Sequence, residues 1–508
     1  MASLVLTILL WVGVLTLAIV FTTFCFITVY IYYVHRKYSH IPQLPMPSFY
    51  LGHKKYLDEG YDENSDRSTD LVLYDMHKEL GSPPVFLIHI LHITMVLIVD
   101  PKAVKEVVFD KRHPKPMTFY KTFCYIYGQR FTGRGLLTEM DYEQWHKRRV
   151  ILNTAFHRKF LKDFMEPFNK STSLFMKKLL EKADGKTEIA MSEHFNRCTL
   201  DAISKVAFGM ELDIIEKEDS TFNTQVLTAL HGMIVSGDIG NLIDFSSKAK
   251  KTKEDVIKAV RSLRETGRQC INKRIDEMNS GEDVPEDVLT YIIKAGQEVN
   301  GDDKEKMEVM IDEFTLFFVA GMETTANTLS FAVIALGRHP EVLHRLQIEI
   351  DAVIGDKTYI SYEDINKLEY TMQVLKETLR LWPPVVGMSR QLVCDIDVEG
   401  YTVQAGSSVN FNSFLMARME KYYHNAHDFD PGRFKSDEDT MQYTYFPFAL
   451  GPRSCIGQQF ALIEARVILA RFVSTFDFVL VPGQKFTLHS EITMKPKEKC
   501  KVYLTAKQ

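Results

Sequence analysis

Residues 446–460 read FPFALGPRSCIGQQF, and how the cysteine in this stretch is read decides the fold. Cys455 lies between Gly451 and Gly457, two residues after Arg453, and just ahead of QQFALIEARVILARF, whose apolar residues recur at helical spacing. The two glycines free the backbone to fold tightly around a sulfur, and the N–H groups that converge at a helix start favour its anionic form. The run that follows reads as an amphipathic helix. Alone, a cysteine is more often a small buried hydrophobe. As a thiolate ligand it has no partner Cys or His nearby, which is unsuited to tetrahedral zinc with its three or four protein ligands. The axial position of a haem iron asks for one sulfur only.

The same window holds Phe448, Gly451, Arg453, Cys455 and Gly457 as F-x-x-G-x-R-x-C-x-G. This resembles the haem-ligand loop of the cytochrome P-450 family. The resemblance implies that Cys455 is the axial ligand of a haem b iron, and that the chemistry is oxygen activation rather than oxygen storage, because an axial thiolate favours O–O cleavage. Working back toward the N-terminus, Arg433 lies in DPGRF, and Glu377-Thr-Leu-Arg380 precedes it. Read by itself, the Glu377/Arg380 pair is a helix-surface ion pair worth about 0.2–0.5 kcal/mol. The family order E-x-x-R, P-x-R-F, cysteine loop implies instead that Glu377, Arg380 and Arg433 form a buried three-way charge network behind the haem.

AGMETT, residues 320–325, is the second chemical site. A glycine inside a helix costs about 1 kcal/mol against alanine, and close approach of the backbone to a flat cofactor would explain Gly321. The Thr324 hydroxyl can bond back to the carbonyl of Ala320, bending the helix and opening space beside it. METT could also be a polar patch on a buried helix. The motif resembles the family's [A/G]-G-x-[D/E]-T-[T/S], which implies that Glu323 and Thr324 manage the protons that dioxygen reduction consumes. Two haem propionates need cations or N–H donors if buried. Trp145 and Arg149 match the family's W-x-x-x-R, Arg390 follows PPVVGMS, and with Arg453 these make four expected donors, each of which taken singly is as readily a surface group.

The 508 residues are 45% hydrophobic and 25% charged, enough for a large core. Length alone suggests about three domains, yet no low-complexity linker or solenoid repeat divides the chain after residue 50, so one large unit is expected. Helical periodicity dominates, notably at 255–278, 311–339 and 370–381, with strand-like runs at 84–99, around 395–411 and at 501–506. The expected fold class is mainly α, an α+β arrangement of a helical domain with small β-sheets: the cytochrome P-450 fold that the resemblance implies. A net charge of -5 gives no reason to invoke nucleic acid, and KAKKTK at 248–253 reads as a solvated loop. The seven scattered cysteines contain no CxxC and suggest a reduced, cytosol-facing protein.

Residues 4–34 carry no charge, long enough to cross a hydrocarbon core that takes about 20 apolar residues. A cleaved signal peptide would need a basic start, and no Lys or Arg precedes Arg36. Arg36 and Lys37 then place the remainder in the cytosol. Three divisions follow: 1–35 a membrane anchor, 36–50 a stiff proline-rich neck, and 51–508 the haem-thiolate monooxygenase domain. Asn169-Lys-Ser should stay free of glycan in that topology.

The family resemblance implies a monooxygenase that uses O2 and hydroxylates a lipophilic substrate. No GxGxxG fingerprint is present for NADPH or flavin, so NADPH acts indirectly, through a membrane-bound flavoprotein reductase that Lys147 and Arg148 would help dock. An endoplasmic reticulum membrane location goes with similar microsomal enzymes. YEQWHKRRVILNTAF, TLFFVAGMETTANTLSF, YFPFALGPRSCIGQQFA and LVPGQKF resemble the subfamily that hydroxylates the cholesterol side chain, so cholesterol or a related sterol is the expected substrate. Val385, Val386, Met388, Phe119, Tyr120, Phe123 and Tyr125 would form an apolar pocket wall. Fatty acids and xenobiotics remain open, as do peroxide-rearranging chemistry on the same fold and a non-catalytic haem or sterol sensor.

Overall fold

The computed structural model describes residues 2–507 apart from 62–66, 218, 238–243, 245 and 436–441. The first helix, Ala2–Lys37, is exposed along most of its length and is long and apolar enough to cross a membrane. His35, Arg36 and Lys37 form its last turn, where cations complement the helix dipole. Ile31 and Val34, however, are buried against the rest of the chain. The neck is docked rather than free: the Pro42 carbonyl accepts from Leu87 N at 3.0 Å, the Tyr38 hydroxyl lies 3.0 Å from Ser407 Oγ, and Ile41 and Leu44 are buried.

The three expected helices are present and longer than their apolar periodicity. Ser247–Ser280 begins with Ser246 accepting from Ala249 N and ends at Gly281 in the left-handed region, as a C-terminal glycine should. Its first turns contain KAKKTK, which is therefore the exposed start of a helix and not a loop. Asp303–Arg338 begins with Asp302 accepting from Glu305 N. Both extensions are charged turns that contribute no apolar repeat. Glu369–Leu381 carries Glu377 and Arg380.

The run at 84–99 is two strands, Val85–Ile90 and Ile93–Ile98, folded into a hairpin at Leu91 and His92, where Leu91 takes a positive φ of 55°. Ser408–Asn412 pairs parallel to the second of them, and Gly387–Gln391 pairs antiparallel to Ser408–Asn412, completing a four-stranded sheet. Gly387–Gln391 delivers Arg390. A smaller hairpin near the C-terminus pairs Leu488–Ser490 with Met494–Pro496.

Asp303–Arg338 runs through the interior, packed on Met191–Phe208. Phe208, Phe314 and Phe318 stack with centroids 4.5–4.8 Å apart, and Gly267 of the neighbouring helix leaves room for Phe314, which a Cβ there would meet at 2.7 Å. The helix Gln458–Thr475 is buried on nearly all sides, Glu464 and Arg466 included, rather than amphipathic.

Asn169 is buried. Its amide donates to the carbonyls of Met165 (2.7 Å) and Ile360 (2.9 Å) and accepts from Ile360 N (2.8 Å). The folded chain hides this side chain on either side of a membrane, so an unmodified Asn169 does not report topology. Asn169→Ala strands the Ile360 N–H and carbonyl in the interior. It should cost about 1–3 kcal/mol, measured as a lower thermal denaturation midpoint.

Candidate active site

The cysteine loop is shaped by two left-handed residues, Ala449 (φ 58°) and Gly451 (φ 72°). Gly451 is required twice over, because a Cβ would also sit 2.8 Å from the Val108 carbonyl oxygen. Ala449 N donates to Phe446 O at 3.0 Å, Ser454 N to Gly451 O at 3.1 Å and Cys455 N to Phe448 O at 2.9 Å. Gly457 keeps an ordinary φ of -87°, and a Cβ on it would meet no protein atom. Its place in the motif therefore does not come from backbone conformation or from packing within the chain.

Cys455 is exposed, yet so enclosed that burial raises its thiol above the ordinary range, opposed by the Gly457 N–H and by Arg149. Both facts hold if the surface it shows is the wall of an internal cleft. The central helix has a matching feature. It is buried from Val309 to Leu336 except at Val319, Ala320, Gly321 and Thr324, and only Ala320 is fully exposed. Thr324 Oγ1 donates to Ala320 O at 2.8 Å, and Thr328 Oγ1 to Thr324 O at 2.9 Å. Gly321 does not face the opening: a Cβ would press on Ile203 at 3.0 Å, so this glycine serves helix packing, and it is Ala320 that keeps the exposed surface low.

Glu323 is almost fully buried beside Thr493 and Lys495 of the C-terminal hairpin. Burial raises its carboxyl above the ordinary range, and Lys495, 3.6 Å away, opposes that.

The four expected donors converge. Arg149 donates to Ser454 O at 2.8 Å, Arg453 donates to Glu139 O at 2.6 Å, and the Arg453 guanidinium lies 4.2 Å over the ring of buried Trp145. Arg390 is buried on its strand. Sequence reasoning missed a fifth member, Lys115, which is buried and donates to Leu137 O at 2.7 Å. Only its place between two prolines marked it. Its loop is pinned to the Arg390 strand by Gln391 N donating to Pro114 O at 2.7 Å. Burial lowers Lys115, Arg149 and Arg390, and lowers Arg453 to about 10, with mutual repulsion adding to the effect on Lys115 and Arg453. Among the described residues, none of the four is ion-paired with a carboxylate.

Of the expected apolar wall, Phe119, Tyr120 and Phe123 form a cluster with ring centroids 5.2–5.9 Å apart, the Lys115 ammonium lies 4.7 Å over the Tyr120 ring, Met388 is buried in its strand, and Phe119, Tyr125 and Val385 are exposed. One expectation needs correction. Lys147 is exposed, but Arg148 is interior, donating to Glu313 at 2.8 Å and Glu139 at 2.9 Å, and so is not part of a docking surface. An arginine in a charged run gives no sign from sequence that its carboxylates lie on distant segments.

The support behind the loop is as the motif order implied. Glu377 and Arg380 are fully buried and joined by two bonds of 2.6 and 2.8 Å, and Arg433 reaches Glu377 at 3.0 Å. Asp430 N adds a bond to Glu377 at 2.9 Å, and Arg380 donates to the carbonyls of Ala417, Ala426 and Asp428.

A model of the family described as Cytochrome P450 matches residues 42–502. The chain is a cytochrome P450. Relatives include Cytochrome P450 4d2 of Drosophila melanogaster, 27% identical over 78% of this chain and 81% of its own length, and 11-oxo-beta-amyrin 30-oxidase of Glycyrrhiza uralensis, 29% identical over 80% and 78%. The crystal structure of the cytochrome P450DA heme domain has the same fold, with a TM-score of 0.79 at 23% identity, covering 92% of this chain and 97% of that one.

Cytochromes P450 bind haem through a cysteine thiolate and take electrons from a redox partner, and this chain shares both properties. The residues present fit such a group. Two buried cations, Lys115 and Arg390, and two half-buried ones, Arg149 and Arg453, have no carboxylate ion-pair partner among the described residues, a free cysteine keeps an exposed surface on the loop, and the long central helix is exposed at Ala320. Glu377→Ala leaves two buried guanidinium groups uncompensated and should cost about 3–5 kcal/mol. The expected result is aggregated or haem-free protein, read as loss of Soret absorbance per unit of polypeptide.

Proposed function

We propose that this cytochrome P450 is a membrane-anchored monooxygenase hydroxylating a lipophilic substrate, cholesterol or a related sterol, with Cys455 as the haem ligand. The supporting observation is the free, exposed Cys455 held on a loop of fixed backbone, where burial raises the thiol but the Gly457 N–H and Arg149 act in the opposite direction. Haem held there by Cys455 would supply oxygen activation, which a thiolate ligand favours.

The residues of the chain do the rest. Trp145, Arg149, Arg390 and Arg453, with Lys115 added, orient and neutralise the propionates, while Phe448 and Gly457 line the loop. Glu323 and Thr324 hold and pass protons: the raised carboxyl of Glu323 keeps a proton at higher pH than an exposed glutamate does. The Thr324 hydroxyl sits one helical turn from exposed Ala320, at the edge of the opening.

The sterol assignment is supported by the four stretches that resemble cholesterol 24-hydroxylase, and one relative is named as an 11-oxo-beta-amyrin 30-oxidase. An apolar N-terminal helix suits an endoplasmic reticulum anchor of residues 1–35 with a neck at 36–50 and a cytosolic domain at 51–508. Electrons then come from an NADPH-dependent flavoprotein reductase in the same membrane.

The reduced protein should give the carbon monoxide spectrum of a thiolate-ligated haem, and Cys455→His should abolish it; an unchanged spectrum would disprove the ligand assignment. With reductase and NADPH, cholesterol should yield a hydroxylated product. A fatty acid turned over in its place would redirect the substrate class, and tight binding without NADPH consumption would mean a sensor. Glu323→Gln should lower turnover by about 10²–10⁴-fold.

A further inference from the structure

Beyond Glu323 the polar contacts continue outward. Lys495, on the strand Met494–Pro496, is the cation paired with Glu323 among the described residues, but its ammonium lies closer to Glu491 at the hairpin tip. Glu491 in turn meets His489 Nε2 at 2.9 Å. Pairing across the hairpin puts His489 opposite Lys495, so the two side chains approach the same carboxylate from facing strands. The side chain of Glu323 is 12% exposed, against 31%, 23% and 28% for Lys495, Glu491 and His489, so the line runs from a buried acid to groups in contact with water.

The surroundings hold this geometry in place. Thr493, between Glu491 and Lys495, bonds Glu323 and accepts from Asn327 Nδ2 at 3.1 Å, one turn further along the central helix. On the other side of the hairpin, Ser490 donates to buried Asp70 at 2.6 Å, and Asp70 feels the charge of buried Arg418. Met494 N donates to Pro384 O at 2.8 Å. Among the described residues, the charged groups around Glu323 and the hairpin include Lys495, Glu491, His489, Asp70 and Arg418, with Glu498 at the hairpin's base, where it accepts from Thr487 N at 3.3 Å.

We propose that His489, Glu491 and Lys495 form a charge relay that sets the proton occupancy of Glu323, making Lys495 and Glu491 positioning residues for that acid. One ammonium is divided between two carboxylates. Burial works against ionised Glu491, but His489 and Lys495 hold its carboxyl at about 2, so it stays anionic and keeps the larger share of Lys495. Burial favours the protonated form of Glu323 and the Glu491 charge adds to it, while Thr493 and the acid's smaller share of Lys495 oppose it. His489 meets Glu491 from the strand facing Lys495, so the two side chains share that carboxylate. The relay rests on the proposed role of Glu323, but the two fail separately in the test.

Infrared difference titration of the holoenzyme in lipid nanodiscs, following the protonated carboxyl band that Glu323→Gln removes, gives the midpoint for Glu323 directly. Lys495→Met should raise that midpoint by about one to three pH units, and Lys495→Arg should restore it. Glu491→Gln, close in shape, should lower it, because it removes a like charge and releases Lys495. A hairpin that merely supports the fold would move both variants the same way or neither, and either result overturns the relay. If Glu323→Gln turns over at the wild-type rate, the acid's role fails while the opposed shifts still stand.

Discussion

Lys115, Arg149, Arg390 and Arg453 come from separate parts of the chain into a region where burial disfavours their charged forms, and among the described residues none has a carboxylate ion-pair partner of its own. Like charges this poorly solvated are tolerable only with an anion among them. The polypeptide is therefore incomplete in an electrostatic sense, and folding and cofactor capture are linked through the same charges. The other parts of the site can be read as ways of holding that arrangement still. Trp145 backs Arg453, the Arg390 strand pins the Lys115 loop, and Arg149 ties itself to the backbone beside Cys455.

Two buried charge networks do different work here. Glu377, Arg380 and Arg433 are saturated: their bonds go to one another and to backbone carbonyls and amides, so the unit is a rigid joint between the helix Glu369–Leu381 and the turn at Pro431–Phe434. The four cations are unsaturated and open to a ligand. Placing the first behind the loop and the second beside it separates stability from recognition, so that substitutions in the two groups should have different signatures in denaturation and in haem content.

How far the sequence could be read depended on how local each constraint is. The cysteine loop, Glu377-Thr-Leu-Arg380 and the Thr324 back-bond are set within a few residues, so their spacing carried them. Lys115 and Lys495 have roles that exist only through distant segments, and neither has a local signature. Arg148 shows the same limit from the other side, since a run of charges suggested a surface where the fold makes an interior ion pair. Helices 247–280 and 303–338 lost their first turns because charged residues there contribute no apolar period, and the hairpin at Leu91 lacks the glycine or asparagine that usually announces a turn. Gly321 stood out in its helix without showing that Ile203 is what a side chain there would press on.

The docking of the first helix has a mechanical side. Ile31 and Val34 are part of the core, and the neck bonds to strand residue Leu87 and to Ser407, so no loose hinge separates helix from catalytic domain. Spanning helices change their inclination when bilayer thickness changes. Joined this stiffly, the helix in its proposed role as an anchor would act as a lever arm: a thicker or thinner lipid environment would tilt the whole body against the headgroups, coupling lipid composition to the attitude of the folded domain without touching the chemistry.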